Sequence, residues 1–471
     1  MQRRLYPLFS SVIPSLAVSF SPLVLADSQT SSDADESDFQ QLEEVVATYR
    51  PAYRGGVEES KQPQAIETVD REQLAQAGIT DFQSALDFTP TVSRQNDMAG
   101  LWDAYTLRGF PSDENMPASY LINGFSGGKG YSGRRDTANI EKIEVLLGPG
   151  SALYGRSDPG GTINIITRKP EFFTEGHVTA EVGSFNHKRL EADLTGALSD
   201  NIAGRVNGAV EKSDSFRDEV TYKKQTLTPS LLWDLGENGS LLYEAEYVLQ
   251  EAPFDRGIII PEDDINQVDH STFYGEPSDG PMSTKVWGNT LSYELDFADD
   301  WVLSAGVGVR KTHFEGYSSE PDLSAGRQED LTDDDDSTNT VYRMRRYADY
   351  KTRDHFARAE ISGSLETGSV VHNLMLGADT YRYFVRHYQL EYRDAWGVEG
   401  GAYGVDLYNP VYGSEKPEMS VKKDRLEYQQ SFGVYAQNQM ELTERLQLLV
   451  GARFDKYHQS MDSYKEGEGE T

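Results

Sequence analysis

The chain has 471 residues and no cysteine, which excludes a disulfide, a thiol nucleophile and a cysteine-ligated metal. It carries 77 Asp and Glu residues against 44 Lys and Arg residues, a formal net charge of −33 at pH 7. Because nucleic-acid phosphates would repel such an acidic chain, we expect no nucleic-acid partner, and an outer-surface role or a cationic ligand suits it better.

The first 63 residues have the pattern of a secreted protein's leader. Arg3 and Arg4 precede an apolar stretch, and residues 24–26 (VLA) resemble a cleavage site, so we predict a signal peptide over residues 1–26. Residues 27–63 are predicted to be a flexible leader that contains one strand-prone island, residues 42–48 (LEEVVAT). No apolar run of about 18 residues follows, so no transmembrane helix is predicted and a β-barrel is the remaining membrane architecture.

Residues 64–172 are predicted to form a compact α+β domain. Thr80 is placed to cap a short helix over residues 81–87, in which Phe82, Ala85 and Leu86 share one face. Strands are predicted at residues 104–107, 118–122, 143–147 and 162–167.

A glycine-rich loop lies between the last two of these strands. Residues 150–157 (GSALYGRS) come close to the phosphate-binding pattern G-x-x-x-x-G-K-[ST], with Arg156 in place of the lysine. That pattern needs a helix after it, whereas residues 162–167 (TINIIT) have the composition of a strand. We therefore predict that the glycines serve tight turns and close backbone packing, and that no nucleotide binds there.

From about residue 176 onward, apolar and polar residues alternate. In residues 202–210, Val206 and Val210 lie on one face, and Arg205 and Asn207 lie on the other. Strands of about ten residues with apolar side chains outward are typical of a transmembrane barrel, whereas a soluble β-sandwich, the alternative, has strands of about 5–6 residues. Short turns alternate with long polar connections, and the whole pattern predicts about eleven strands.

Metal sites and catalytic groups are not indicated. Residues 333–336 (DDDD) fall in a long connection and are interpreted as a solvated acidic loop, because a calcium site would need a fuller set of ligands. The eight histidines show no metal-binding spacing. We therefore expect no catalytic residue, no metal ligand and no enzyme activity.

Several segments resemble the TonB-dependent outer-membrane receptors for ferric siderophores. The matching segments are residues 106–110 (TLRGF), 120–125 (YLINGF), 140–170, 432–439 and 449–455, within a resemblance that spans residues 42–459. The resemblance implies a mostly β fold, with an α+β plug (64–172) followed by an antiparallel transmembrane β-barrel (173–471). It also implies a monomer in the bacterial outer membrane that contacts lipid and imports a ferric siderophore with energy from the inner-membrane TonB complex. The iron would arrive inside its carrier, so the protein itself would bind no cofactor.

The resemblance further implies three groups of site residues. Leu42, Glu43, Glu44, Val45, Val46, Ala47 and Thr48 resemble the TonB box, an extended segment able to add as a strand to a partner sheet. Arg94, Trp102, Tyr105 and Tyr131 are the expected ligand contacts at the plug apex, since aromatic faces and arginine suit an oxygen-rich chelate with an apolar scaffold, with a hydroxamate type favoured. The resemblance assigns structural roles in the plug to Arg108, Gly109, Gly148, Gly150, Gly155, Arg156, Gly160 and Gly161.

The chain departs from the family pattern in two respects. It shows about half of the roughly 22 strands of such barrels, so we expect a truncated chain, either a fragment of a longer one or a shortened product. Leu147 stands where the family has arginine, and that arginine, like the one matched by Arg108, usually pairs with glutamates of the barrel wall. Two alternatives stay open: a truncated remnant that does not transport, and the same fold importing another ligand such as a cobalamin.

Overall fold

The computed structural model describes residues 18–19, 61–95, 98–111, 120–127, 131–148, 159–236, 239–261, 264–298, 300–324, 328, 339–393 and 403–464. The predicted signal peptide apart from residues 18–19, the predicted TonB box at 42–48, the acidic run at 333–336, and Gly150, Gly155 and Arg156 lie outside these residues. No helix among the described residues is long and apolar enough to cross a membrane.

The first part of the chain folds as a small α+β unit, the plug. A two-residue strand, β1 (Val18–Ser19), precedes the plug and belongs to the barrel sheet described below. In chain order the elements of the plug are β2 (Ile66–Asp70), α1 (Arg71–Ala77), α2 (Phe82–Ala85), a 3-10 turn (Leu86–Phe88), β3 (Val92–Arg94), β4 (Tyr105–Leu107), β5 (Phe110–Pro111), β6 (Tyr120–Ile122), β7 (Phe125–Ser126), β8 (Ile140–Leu147) and β9 (Gly161–Thr167). A five-stranded sheet has the order β2-β8-β9-β6-β7, and a three-stranded sheet has the order β3-β4-β5.

The plug has its own apolar core between the short helices and the five-stranded sheet. Phe82 and Leu86, on the predicted helix face, are buried with Ile143 and Val145 of β8 and Ile163 of β9. Every residue of β9 is buried, including the polar Thr162, Asn164 and Thr167. The predicted strands are thus confirmed to within a few residues where the structure describes them.

The predicted cap of the short helix is wrong by one residue. Asp81, not Thr80, precedes the first helical residue, and its carboxylate accepts hydrogen bonds from the Ser84 backbone N–H at 2.9 Å and from the Ser84 hydroxyl at 2.6 Å. A side-chain oxygen at the cap must reach the N–H of the third helical residue, and Thr80 lies one residue too early to do so.

Long antiparallel strands follow the plug. They are β10 (Glu175–Val182), β11 (Lys188–Ser199), β12 (Ile202–Asp214), β13 (Thr221–Asp234), β14 (Gly239–Ala252), β15 (Met282–Ala298), β16 (Trp301–Pro321), β18 (Arg343–Thr367), β19 (Val370–Arg393), β21 (Ser420–Thr443) and β22 (Leu446–Ser463), with the short β17 (Thr340–Val341) and β20 (Val405–Asp406) between them. Together with β1 the long strands form one sheet in sequence order, while β17 and β20 pair separately. The prediction of about eleven barrel strands is confirmed within the described residues.

The sheet is polar on the face that meets the plug and apolar on the other. On β13, Lys224 is 2% exposed, whereas Leu227 and Trp233, on the opposite face, are each 46% exposed. On β12, Arg205 is buried and Val206 is exposed, as the sequence pattern predicts. This arrangement is that of a membrane barrel, with lipid outside and a polar lumen, and it excludes the alternative of a soluble β-sandwich.

Two glycines at the start of β9 pack against backbone where no Cβ fits. A Cβ on Gly160 would lie 2.2 Å from the carbonyl oxygen of Leu107, and one on Gly161 would lie 2.3 Å from that of Leu146. Gly161 also has a φ of +152°, a conformation that other residues rarely adopt. The strand that follows, instead of a helix, agrees with an architectural role for these glycines.

We expect Gly161→Val to destabilise the folded chain by about 1–3 kcal/mol, because the added side chain overlaps two neighbouring strands. Thermal denaturation of the full chain in detergent would measure the loss. Gly183→Val is the matched control, since a Cβ there would meet its nearest neighbour, in His187, at an ordinary 3.6 Å. A smaller loss for Gly161→Val than for Gly183→Val would contradict the assignment.

Candidate functional site

Two of the predicted ligand residues lie together in an aromatic cluster between the plug and the barrel wall. The rings of Trp102 and Tyr131 are 6.0 Å apart at 90°, and Tyr131 stacks on Phe314 of β16 at 5.4 Å. Tyr350 of β18 lies 4.8 Å from Tyr131, and His387 of β19 lies 4.9 Å from Tyr350. We call these five residues the aromatic cluster.

The aromatic cluster lies toward the end of the barrel that carries the long connections. Phe314 is in the half of β16 that leads into the long connection after Pro321, and Tyr350 is near the start of β18, just after that connection. In membrane barrels of this kind the long connections are on the outer side of the membrane. The cluster therefore belongs to the side from which an external ligand would arrive.

The other two predicted ligand residues are placed elsewhere. Tyr105 is buried in the plug core, where its ring meets Phe82 edge-on at 6.3 Å. Arg94 is on the exposed edge of the three-stranded sheet and forms a salt bridge with Asp87. The structure thus brings together two of the four, and ligand contact by any of them stays a prediction.

Arg108, Gly109 and Gly148 lie in turns with positive φ, a conformation that glycine adopts readily and arginine rarely does. Arg108 has a φ of +51°, and Gly109 and Gly148 have φ values of +79° and +91°. The Arg108 side chain is exposed and makes no ion pair with any described residue. Leu147, at the position where the family has arginine, packs on the plug core, and its backbone N–H donates to Ala65 at 3.0 Å.

A buried ion cluster around Asp136 joins the plug to the wall. Its carboxylate lies 2.7 Å and 2.8 Å from the guanidinium nitrogens of Arg189 and 2.8 Å from the Lys224 ammonium. Burial alone would raise the pKa of Asp136, but the charges of Lys224 and Arg189 outweigh it and hold that pKa well below its ordinary value of 3.8. Asp136 is therefore ionised at any physiological pH.

Further ion pairs continue this seam along β11 to β14. Arg135 lies 2.9 Å from Glu246, and Lys169 lies 2.8 Å from Glu244, which also accepts hydrogen bonds from the Asn123 amide at 2.9 Å and 3.0 Å. Together with a further pair between Arg168 and Asp193, these contacts fix the plug against the first wall strands.

Sequence reasoning did not identify these seam residues on the plug side. A signal was present, because residues 134–136 (RRD) and 168–169 (RK) are short runs of charge, and the second directly follows the strand predicted at 162–167. On the wall, Glu244 and Glu246 were visible as a polar face of an alternating strand. The sequence does not show which charged residue of the plug lies opposite which charged residue of the wall strands.

Asp103 is a buried acid beside the aromatic cluster. It is fully buried, and its Oδ2 accepts a hydrogen bond from the Arg135 backbone N–H at 2.9 Å. Burial raises the pKa of Asp103 to about 7, against the opposing effects of that hydrogen bond and of the Arg134 charge. Its carboxyl group therefore changes its protonation state near neutral pH.

A cavity of about 430 Å³, the side cavity, opens next to the aromatic cluster. Its walls are Ala99, Gly100 and Arg134 of the plug and wall residues between Glu211 and Gly257. Tyr222 lines the cavity and packs against the buried apolar residues that include Trp102, Tyr131 and Phe314, so the cavity lies beside that part of the aromatic cluster.

Comparison with known proteins places these features in a family context. A model of the TonB-dependent Receptor Plug Domain matches residues 58–162, and one of the TonB dependent receptor-like beta-barrel matches residues 226–469. The metal-pseudopaline receptor CntO of Pseudomonas aeruginosa is 33% identical over 409 residues, which cover 86% of this chain and 55% of that receptor. The ferrioxamine receptor of Yersinia enterocolitica is 30% identical over 410 residues, 83% of this chain and 54% of that receptor.

The chain thus spans about half the length of the curated relatives it matches. Solved structures show the same fold. The closed form of the ferric-catecholate import receptor Fiu from E. coli has a TM-score of 0.76 at 22% identity, over 90% of this chain and 61% of that one. The siderophore receptor PiuA from Acinetobacter baumannii has a TM-score of 0.75 at 18% identity, over 90% and 63% of the two chains.

Proposed function

Since this chain belongs to the TonB-dependent receptors of the bacterial outer membrane, we propose that it serves in the uptake of a metal chelate, specifically a ferric siderophore, driven by the TonB complex. The observation that carries the proposal is the aromatic cluster, which lies between plug and wall toward the outer side. An external ligand bound there would touch both parts of the receptor at once, so its arrival could be sensed by the plug.

The chemistry of the aromatic cluster suits a chelate. Trp102, Tyr131 and Phe314 form a buried group of aromatic rings, and Tyr350 and His387 beside them carry polar groups. A ferric siderophore encloses its metal in oxygen ligands and presents a largely apolar scaffold, so it needs ring contacts and a few donors. We propose that the metal stays within its carrier and that the protein supplies no metal ligand.

The names of the relatives support a metal chelate as ligand. One relative is a receptor for metal-pseudopaline and another is a receptor for ferrioxamine. The two names describe different carriers, so they support the class of ligand and not one member of it. Among ferric chelates we propose the hydroxamate type, on the strength of the aromatic plug apex.

Coupling to TonB is proposed through residues 42–48. These residues precede the plug and combine strand-prone side chains with a polar leader, as an added β-strand requires. Lys61, near the end of the leader, accepts a hydrogen bond of 2.7 Å from the Gln439 amide on its backbone carbonyl and forms a salt bridge of 3.0 Å with Glu441 of the barrel. That pair is partly exposed and would be readily broken by a pull on the leader.

Growth and binding assays test the proposed function. The gene is expressed in a strain without its own siderophore receptors, in iron-limited medium supplied with one ferric hydroxamate, catecholate or carboxylate chelate at a time. We expect growth on a hydroxamate chelate and quenching of the protein's tryptophan fluorescence by the same chelate. Binding of a cobalamin without binding of any metal chelate would contradict the proposal, as would growth that is independent of the gene.

A further inference from the structure

We propose that the side cavity receives a positively charged arm of the chelate and that the Asp214 carboxylate is its anionic contact. This inference rests on the proposed function, because it names the kind of ligand that the same outer site accepts. It adds a specificity-determining residue that lies on the barrel wall, at the end of β12.

The size and position of the side cavity fit an arm of a ligand bound at the aromatic cluster. Its volume of about 430 Å³ is toward the lower end of the range for ligand cavities, roughly 300–1,000 Å³. Tyr222 lines the cavity and packs against the buried apolar residues that include Trp102, Tyr131 and Phe314, so a ligand resting on the aromatic cluster can extend past Tyr222 into the cavity.

Each charged residue of the cavity lining except Asp214 has an ion-pair partner among the described residues. Arg217 forms a two-pronged pair with Asp255 at 2.7 Å and 2.8 Å, both residues being part of the lining. Arg134 lies 2.7 Å from Asp81, and the Glu211 carboxylate lies 3.0 Å from Arg189. The remaining cation of the lining, that of Arg256, pairs with Glu320.

Asp214 is the exception. Its backbone N–H donates to Phe185 at 2.7 Å, but its carboxylate has no hydrogen bond or ion pair with any described residue. It is half-buried in the cavity lining, so its charge is less screened than on an open surface. With the other charges paired, the cavity carries one uncompensated negative charge.

The rest of the lining also favours a cation. Phe216 and Tyr222 contribute aromatic surface, and ring faces attract ammonium groups. The net charge of −33 over the whole chain adds a long-range attraction for cationic ligands. A protonated amine on a flexible arm has the charge, size and hydrogen-bond donors for this environment.

The test compares two probes on the full chain in detergent. One is a ferric trihydroxamate chelate with a free terminal primary amine, and the other is the same chelate with that amine acetylated. We expect the wild type to bind the amine form about tenfold more tightly, as a hydrogen bond to a charged group would give. In Asp214→Asn the two forms should bind equally, with the acetylated form bound as by the wild type.

Asp218→Asn is the matched control, because Asp218 lies in the connection that directly follows Asp214 but does not line the cavity, and its side chain still accepts the hydrogen bond from Ser271 as an amide. This variant should retain the preference for the amine. The inference would be overturned if the wild type bound both forms equally, or if Asp214→Asn still preferred the amine form. It would also be overturned if Asp214→Asn lost binding of both chelates. Each of these results would leave the proposed function intact. Binding of neither chelate by the wild type would overturn both.

Discussion

Asp136→Asn is expected to weaken the attachment of the plug to the barrel by about 3–5 kcal/mol. The change keeps the shape of the side chain but removes the charge that Arg189 and Lys224 share. Arg189 retains Glu191 and Glu211, at 2.8 Å and 3.0 Å, whereas the Lys224 ammonium is left buried beside an amide. An uncompensated buried cation costs far more than the loss of a surface pair.

The measurement is thermal denaturation of the full chain in detergent, together with trypsin cleavage within the plug. Asp87→Asn is the matched control, because Asp87 pairs with Arg94 at an exposed position and its loss should cost less than about 1 kcal/mol. Adding Lys224→Met to Asp136→Asn should restore part of the stability, since it removes the stranded charge. Equal losses for Asp136→Asn and Asp87→Asn would show that the buried cluster contributes no more than a surface pair.

The barrel could be predicted from the sequence because its signal is local. Successive side chains of a strand point to opposite faces, so the alternation of Arg205, Val206 and Asn207 already separates lumen from lipid. The same alternation, followed along the chain, predicts the number of barrel strands. It also predicts the exposed apolar face, to which Leu227 and Trp233 belong in the structure. No long-range information is needed for either.

The plug was predicted less completely because its details depend on single residues and on distant partners. Helix α1 was missed, although Asp70 and Gln73 form a capping box and Gly78 ends the helix in a left-handed conformation. Its apolar content is small, with Leu74 as its one buried residue, so the periodic signal is weak. The helix cap was likewise predicted one residue too early, at Thr80 instead of Asp81.

The grouping of residues at the candidate site could not be predicted from the sequence. Trp102 and Tyr105 are three residues apart in similar surroundings, yet Trp102 joins the aromatic cluster and Tyr105 joins the plug core. That difference is set by the pairing of β4 with β3, which directs Tyr105 toward Phe82. The seam around Asp136 and the uncompensated carboxylate of Asp214 also depend on which strand lies opposite, and only the folded chain supplies that information.

Val45→Pro is expected to abolish uptake while leaving chelate binding within about twofold of the wild type. If residues 42–48 add as a strand to a sheet of TonB, their backbone N–H groups supply much of the affinity. Proline has no N–H and cannot take part in the ladder, so the added strand would lose a hydrogen bond and its regular conformation. Binding should be spared, because the aromatic cluster and the side cavity are built from residues of the plug and wall.

Two control variants separate the loss of the N–H from other effects of this change. Val45→Ala keeps the N–H and should retain most of the uptake, and Gln29→Pro puts a proline in the polar part of the leader, where no added strand is predicted. Uptake is measured with radioactive iron in the chelate that supports growth, and binding by fluorescence quenching. Uptake that survives in Val45→Pro would remove residues 42–48 as the coupling segment. Equal loss of uptake in Gln29→Pro would instead attribute the effect to a stiffer leader.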